Sequence, residues 1–215
     1  MSSTAKSAQG STLYIGELDA DSPDAATVSG ITKAVNPVVT ATGHGLPEGS
    51  IVLFASVGGM TQINGKYACV GVIDANSFYA YGIDSTEYTT YTSGGTATTK
   101  RVALGNWKSW NGFAGSRSDL DATNLASTAM EYIGGLQDNG DFSFEYQVDD
   151  TDAGQQAFLA NRAAPGINSA FKLTFANAKY RSWRGYIKSM GETGAVNSII
   201  NGSGSMKISG NVTRG

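Results

Sequence analysis

Residues 139–190 read NGDFSFEYQVDDTDAGQQAFLANRAAPGINSAFKLTFANAKYRSWRGYIKSM. Phe142, Phe144 and Tyr146 alternate with Asp141, Ser143, Glu145 and Gln147 at the two-residue period of a strand with one dry face and one wet, acidic face. After Asp149 and Asp150, Asp152 stands three residues ahead of Gln155, the spacing of a capping carboxylate and its partner. Ala153, Ala157, Phe158 and Ala160 follow near helical spacing until Pro165-Gly166 stops the run, which predicts a helix over about 152–163. Phe171, Leu173 and Phe175 then alternate with Lys172 and Thr174. Beyond the turn at Asn177, Trp183, Gly185 and Ile187 alternate with Arg184, Tyr186 and Lys188. The stretch predicts a sheet covered by one short amphipathic helix.

The rest of the chain agrees with a β-rich reading. Its 215 residues are 40% hydrophobic, enough for one or two domains with a real core, and 28 glycines among abundant Thr, Ser, Tyr and Val favour strands joined by many turns. Only 15% of residues are charged and the net charge is -3, which offers no basic excess for holding nucleic acid. Membrane spans are absent from the sequence, MSSTAKSAQG lacks the apolar core of a secretory signal, and the single Cys69 has no intrachain partner, so synthesis in a cytosol is expected. Residues 1–10 are small and polar, an arm expected to be held by a neighbouring subunit if it is ordered.

From about Gly30 to Gly95 the texture changes to short strands and turns: ITKAV, PVVTAT, the turn GHGLPEGS, IVLFAS, a turn at Ile63-Asn64-Gly65, YACVGVI, a turn at Asp74 to Ser77, FYAYG and YTSGGTAT. About 65 residues is the size of a small independent β domain. The pattern resembles a barrel-like module that recurs in phage structural proteins and is related in outline to a β domain of ubiquitin-activating enzymes, a likeness that carries no ubiquitin chemistry.

The order of elements in residues 100–215, with GQQAFL in the helix and WRGYIKSMGETG beyond it, resembles the body of phage major tail tube proteins of the lambda-like, long-tailed type. SRSDLDATNLASTAMEYIGGLQDNGDFSFE, residues 116–145, is similar to the segment of that family leading from an inner strand through a long loop into the next strand. The expected fold is therefore mainly β. A tail-tube β-sandwich or barrel body is formed by 1–29 and 99–215, with one flanking helix, and an all-β domain inserted at 30–98 projects outward. The resemblance implies a virion subunit, assembled in the host cytoplasm, that stacks as hexameric rings. The tube would meet tape-measure, terminator and tip proteins and let DNA pass without specific binding; no cofactor and no membrane insertion are expected.

Residues 123–137 place Leu125, Met130, Tyr132, Ile133 and Leu136 beside Gly134-Gly135, too apolar for a free loop. By analogy with the family this loop packs between rings; an Ω-loop or an extra strand is the local alternative. Residues 116–152 carry nine acids against Arg117, whereas 153–215 carry eight bases, Arg181, Arg184 and Lys188 among them, against Glu192. Such polarity suits head-to-tail association of identical subunits, and equally suits oppositely charged antiparallel strands pairing within one subunit. Arg181, Arg184 and Lys188 are accordingly candidate subunit contacts. Asp119, Asp121, Asp141 and Glu145 are candidates for an acidic lumen lining that lets DNA slide, since each Lys or Arg contact with phosphate adds affinity.

Catalytic readings find little support. His44 sits in a Gly-flanked turn without a nucleophile or an orienting acid, Cys69 lies mid-strand among apolar neighbours, and one His with one Cys cannot build a conventional zinc site. Gly202-Ser-Gly204-Ser-Met206 superficially matches a phosphate loop but lacks a βαβ setting and reads as a hairpin turn. The competing class is a β-sandwich adhesion module that uses Trp107 and Trp110, Trp183 with Arg184, or Tyr79, Tyr81, Tyr88 and Tyr91 to stack sugars or bases.

Overall fold

The computed structural model describes residues 8–16 and 24–215; most of the expected N-terminal arm lies outside the described residues. In chain order the strands begin with β1 (Thr12–Gly16), β2 (Ala25–Thr27), β3 (Gly30–Ile31), β4 (Val38–Thr40), β5 (Ile51–Ala55), β6 (Tyr67–Asp74), β7 (Ser77–Tyr81) and β8 (Thr96–Thr99). They continue with β9 (Arg101–Ala103), β10 (Trp107–Gly112), β11 (Ser116–Asp121), β12 (Tyr132–Asp138) and β13 (Asp141–Gln147), then helix α1 (Ala153–Arg162), and end with β14 (Ser169–Thr174), β15 (Tyr180–Thr193) and β16 (Asn201–Arg214). All ladders are antiparallel: a body sheet ordered β10-β13-β16-β15-β14-β1-β9, a barrel-like sheet ordered β2-β8-β5-β6-β7-β4-β3, and a two-stranded ribbon of β11 and β12.

The mainly β fold with one helix holds as expected, while the body is an open sheet rather than a closed barrel. Its dry face carries Leu13, Ile15, Phe142, Phe144, Tyr146, Phe171, Leu173, Trp183, Ile187, Met206 and Ile208, packed against Ala157, Phe158 and Ala160 of α1. The alternation seen in 141–147 is the cause: every second side chain of β13 is buried and its neighbours are exposed. Rings run through this core in sequence, Phe142 5.2 Å from Trp183, Trp183 stacked on Phe171 at 5.9 Å, and Phe171 edge-on to Phe158 at 5.8 Å.

Residues 202–206 form no turn. They lie inside β16, where Gly204 faces Phe144 and Gly202 faces Tyr146; a Cβ on Gly204 would fall 2.3 Å from the Phe144 ring. The glycines make room for aromatic rings on the neighbouring strand, so the same residues that read as breakers belong to a central strand.

Asp152 caps α1 as the spacing predicts, its Oδ1 accepting the Gln155 N–H at 2.8 Å. Gln155 departs from a capping box. Its side chain accepts the Asp149 N–H at 3.0 Å and donates to the Gln147 carbonyl at 2.8 Å, so it ties the helix start to the end of β13.

The barrel-like sheet surrounds its own core of Val39, Val52, Phe54, Met60, Ile63, Val70 and Phe78. It takes in Ala25–Thr27 and Thr99, on either side of the 30–98 stretch, and β2 runs almost directly into β3, so the two edges of the sheet are consecutive in the chain. Ile51 and Cys69 turn the other way, into the core of the body. A dry polar clasp closes this junction. Asn161 on α1 donates to Ser169 Oγ at 2.8 Å and accepts the Ile187 N–H at 2.9 Å, and Ser169 Oγ donates to the Gly49 carbonyl of the barrel at 2.6 Å. Gly82, at φ +91, lies so close to α1 that a Cβ would come within 2.7 Å of the Ala160 methyl.

Candidate assembly surfaces

The expected loop at 123–137 is half strand. Tyr132, Ile133 and Leu136 belong to β12, which pairs with β11 in a ribbon that continues the β10–β13 hairpin past the body sheet. Its connecting turn is well defined. Asp121 accepts the Thr123 N–H at 2.8 Å, the Ala122 N–H reaches the Glu131 carbonyl at 2.9 Å, and the Glu131 N–H reaches Thr123 Oγ1 at 3.0 Å. Backbone and polar groups are thus arranged locally, but the apolar side chains are not covered: Leu125 and Leu136 are 109% and 92% exposed, and Leu120, Met130, Tyr132 and Ile133 are all more than half exposed. An isolated two-stranded ribbon is marginal in water, and this one has no dry face.

Sequence reasoning missed a second surface of the same kind. Between the long strands β15 and β16, Val196, Ile199 and Ile200 stand in water at the tip of the hairpin, Val196 at 93% exposure. A short apolar cluster, GAVNSII at 194–200, was the signal available for it. The ladder of β13 with β16 sets the two surfaces apart. β13 begins with Asp141 opposite Lys207, where the ribbon departs, and ends with Gln147 opposite Asn201, where the hairpin tip begins. The ribbon and tip therefore leave opposite ends of the body sheet, separated by at least the roughly 20 Å that seven extended residues span.

On the wet face of the body, part of the opposed charge pairs within one subunit, the second of the two charge readings. Lys188 Nζ lies 2.8 Å from Asp141, and Lys207 Nζ lies 2.8 Å from Asp138 and 3.5 Å from Asp141. Each of these ion pairs joins the acidic segment to the basic one inside a single chain. Antiparallel pairing through β16 brings the two segments together. Hydrogen bonds from Lys188 to Asp141, and from Lys207 to Asp138, hold both carboxyls below the usual range, and the bond with Asp138 raises Lys207.

The four residues expected to line an acidic channel are not gathered together. Asp119 and Asp121 lie on the ribbon, while Asp141 and Glu145 share the wet face with Lys172, Arg184, Lys188 and Lys207. Glu145 accepts from Ser109 Oγ at 2.8 Å. This face is mixed in sign and richer in cations than in acids. Arg184 is exposed on it, whereas Arg181 is half-buried near the ribbon end, its guanidinium 5.5 Å from the Phe175 ring.

Most residues weighed for other chemistry are occupied structurally, while Tyr79 stays exposed with its ring 5.5 Å from that of Tyr81. Cys69 is fully buried, and burial pushes its thiol up to about 11. His44 Nδ1 accepts the Leu46 N–H at 3.0 Å while Nε2 lies 2.9 Å from the Asp74 carbonyl, so the ring acts as a staple within the barrel. Trp183 is core, Trp110 stacks on Phe142 at 5.8 Å, and Trp107 Nε1 donates to the Ser11 carbonyl at 3.0 Å. Tyr91 bonds the Val28 and Gly94 carbonyls, Tyr88 packs on the barrel core and Tyr81 on the body core. No helix of the described residues is long and apolar enough to cross a membrane.

A family model described as the ubiquitin-activating enzyme E1 FCCH domain matches residues 33–101, the barrel-like part of the chain. No curated protein matches. Among solved structures the chain is similar to a chain of the anti-feeding prophage (AFP) baseplate, determined by cryo-EM with six-fold symmetry, at 7% identity and a TM-score of 0.39, over 54% of this chain and 83% of that one. A likeness of that size carries no argument about role.

Proposed function

We propose that the chain is a structural subunit that polymerises head to tail, and that the polymer is a phage tail tube of stacked rings. The observation that carries this reading is the ribbon of residues 116–138, which exposes six large apolar side chains around a locally ordered turn. Burying each would contribute about 1.5–3 kcal/mol, so a second surface that covers the ribbon gains far more than any exposed ion pair offers. A second apolar surface at the opposite end of the sheet supports a heterologous contact, in which one end of a copy meets the other end of the next. The tube setting, with tape-measure protein and DNA inside, is drawn from the sequence resemblance in residues 100–215.

Negative-stain microscopy and sedimentation of the concentrated chain, with and without sheared polymer as seed, test the proposal. Tubes of constant diameter are expected from wild type. A chain in which residues 118–136 are replaced by a short turn should keep its fold by circular dichroism and sediment as a monomer. Wild type that stays monomeric under seeding, or tubes that persist without the ribbon, would overturn it.

A further inference from the structure

We propose that the apolar tip at 194–200 of one copy seats in a basic, aromatic-floored cleft at the ribbon end of the next copy; this rests on the head-to-tail reading above. The cleft has a volume of about 630 Å³, a floor of Trp110 and Phe175, and a rim of Lys179, Arg181 and Arg214. Its floor is fixed by the core beneath: Trp110 lies parallel to Phe142 at 5.8 Å, and Phe175 sits 6.2 Å from Trp110. A preformed apolar floor costs little ordering when a partner arrives.

Two independent features point to the tip as the occupant. The first is placement. Arg181 pairs with Arg214 at one end of the β15–β16 ladder, and Thr193 pairs with Asn201 at the other, so cleft and tip are the two ends of one hairpin. A copy displaced along the strand direction brings its own tip toward the cleft of its neighbour, and the same heterologous contact repeats from copy to copy. The second is charge. Arg181 and Arg214 face each other directly across the ladder, a like-charge pairing that is unfavourable in isolation, and no ion pair of the described residues engages them or Lys179. Glu192, exposed at the base of the tip and outside those ion pairs, is the carboxylate that the next copy brings. Val196, Ile199 and Ile200 fill the apolar floor, while Glu192 meets the basic rim.

Cysteine pairing tests the contact. Ile199→Cys and Lys179→Cys are placed in one chain, grown from wild-type seeds and mildly oxidised; buried Cys69 stays out of the reaction. A ladder of covalent oligomers is expected from the double variant and none from either single variant. Tubes without a ladder overturn the seating of the tip and leave head-to-tail assembly standing, whereas no tubes from wild type overturn both. A charge exchange supplies the second reading. Glu192→Lys should raise the concentration needed for growth by about tenfold, and adding Arg214→Glu should restore most of it. An unchanged threshold in Glu192→Lys, or no recovery in the pair, counts against the contact.

Discussion

The barrel–body junction and the ribbon use similar residues to opposite ends. At the junction, Ile51 and Cys69 are drawn into a dry core with Tyr81 packed against it, and polar groups there are satisfied by Asn161 and Ser169. On the ribbon, Leu125 and Leu136 are equally apolar and almost wholly uncovered, and Ile133 is more than half exposed, although the turn beneath them is as closely hydrogen-bonded. One region is complete within a single chain and the other is not. Exposed apolar side chains on a disordered segment would teach little; on a shaped ribbon they form the kind of surface that the proposed assembly would cover.

The largest expected effect breaks the complete side. Asn161→Leu removes the donor to Ser169 and orphans the Ile187 N–H, and should cost about 3 kcal/mol, read as a Tm lower by about 6–12 °C in calorimetry. If stability is unchanged, the junction is held by its apolar contacts alone. On the incomplete side, Leu125→Ser with Leu136→Ser should leave the monomer within about 0.5 kcal/mol of wild type while abolishing growth in sedimentation; a large loss of monomer stability would mean the ribbon is packed after all.

The smallest effect lies at the base of the ribbon and depends on pH. Asp138 and Asp141 are held below the ordinary carboxylate range, so their contribution is present above the unfolded value of about 4 and is lost as pH falls through the lower folded values. Lys207 is raised, so its contribution is present below the ordinary lysine value and is lost as pH rises past the raised one. Amide exchange at residues 138–140 should therefore speed up in acid and in strong base relative to β13, modestly, because the pairs are exposed.

Most of the central body was legible because its signals are local. Asp152, Gln155 and Pro165 bound α1 within a few residues of it, and the alternation of Phe142, Phe144 and Tyr146 needs only seven residues to be seen. Gly202 and Gly204 misled because their meaning lies across the sheet, in rings 56 and 60 positions earlier. The ribbon misled differently. A strand exposed on both faces has no dry side to set the two-residue period, so Tyr132 to Asp138 reads as loop. Its apolar content still marked a surface whose large side chains stand exposed, while Leu120, Val196, Ile199 and Ile200 escaped notice because none lies in a periodic run. The opposed charge of the two halves was real in the sequence, and antiparallel pairing through β16 folded part of it back on itself in Asp138, Asp141, Lys188 and Lys207.

The shared clasp limits what protein engineers can trim. Excising residues 24–100 to obtain a smaller subunit would tear Gly49, Ile51 and Cys69 away from Ser169 and Phe158, opening a raw greasy wound with an unmatched hydroxyl at its centre. Any minimised version must therefore resurface α1 and β14 as well, and a replacement graft must arrive with a carbonyl and two small apolar plugs of its own.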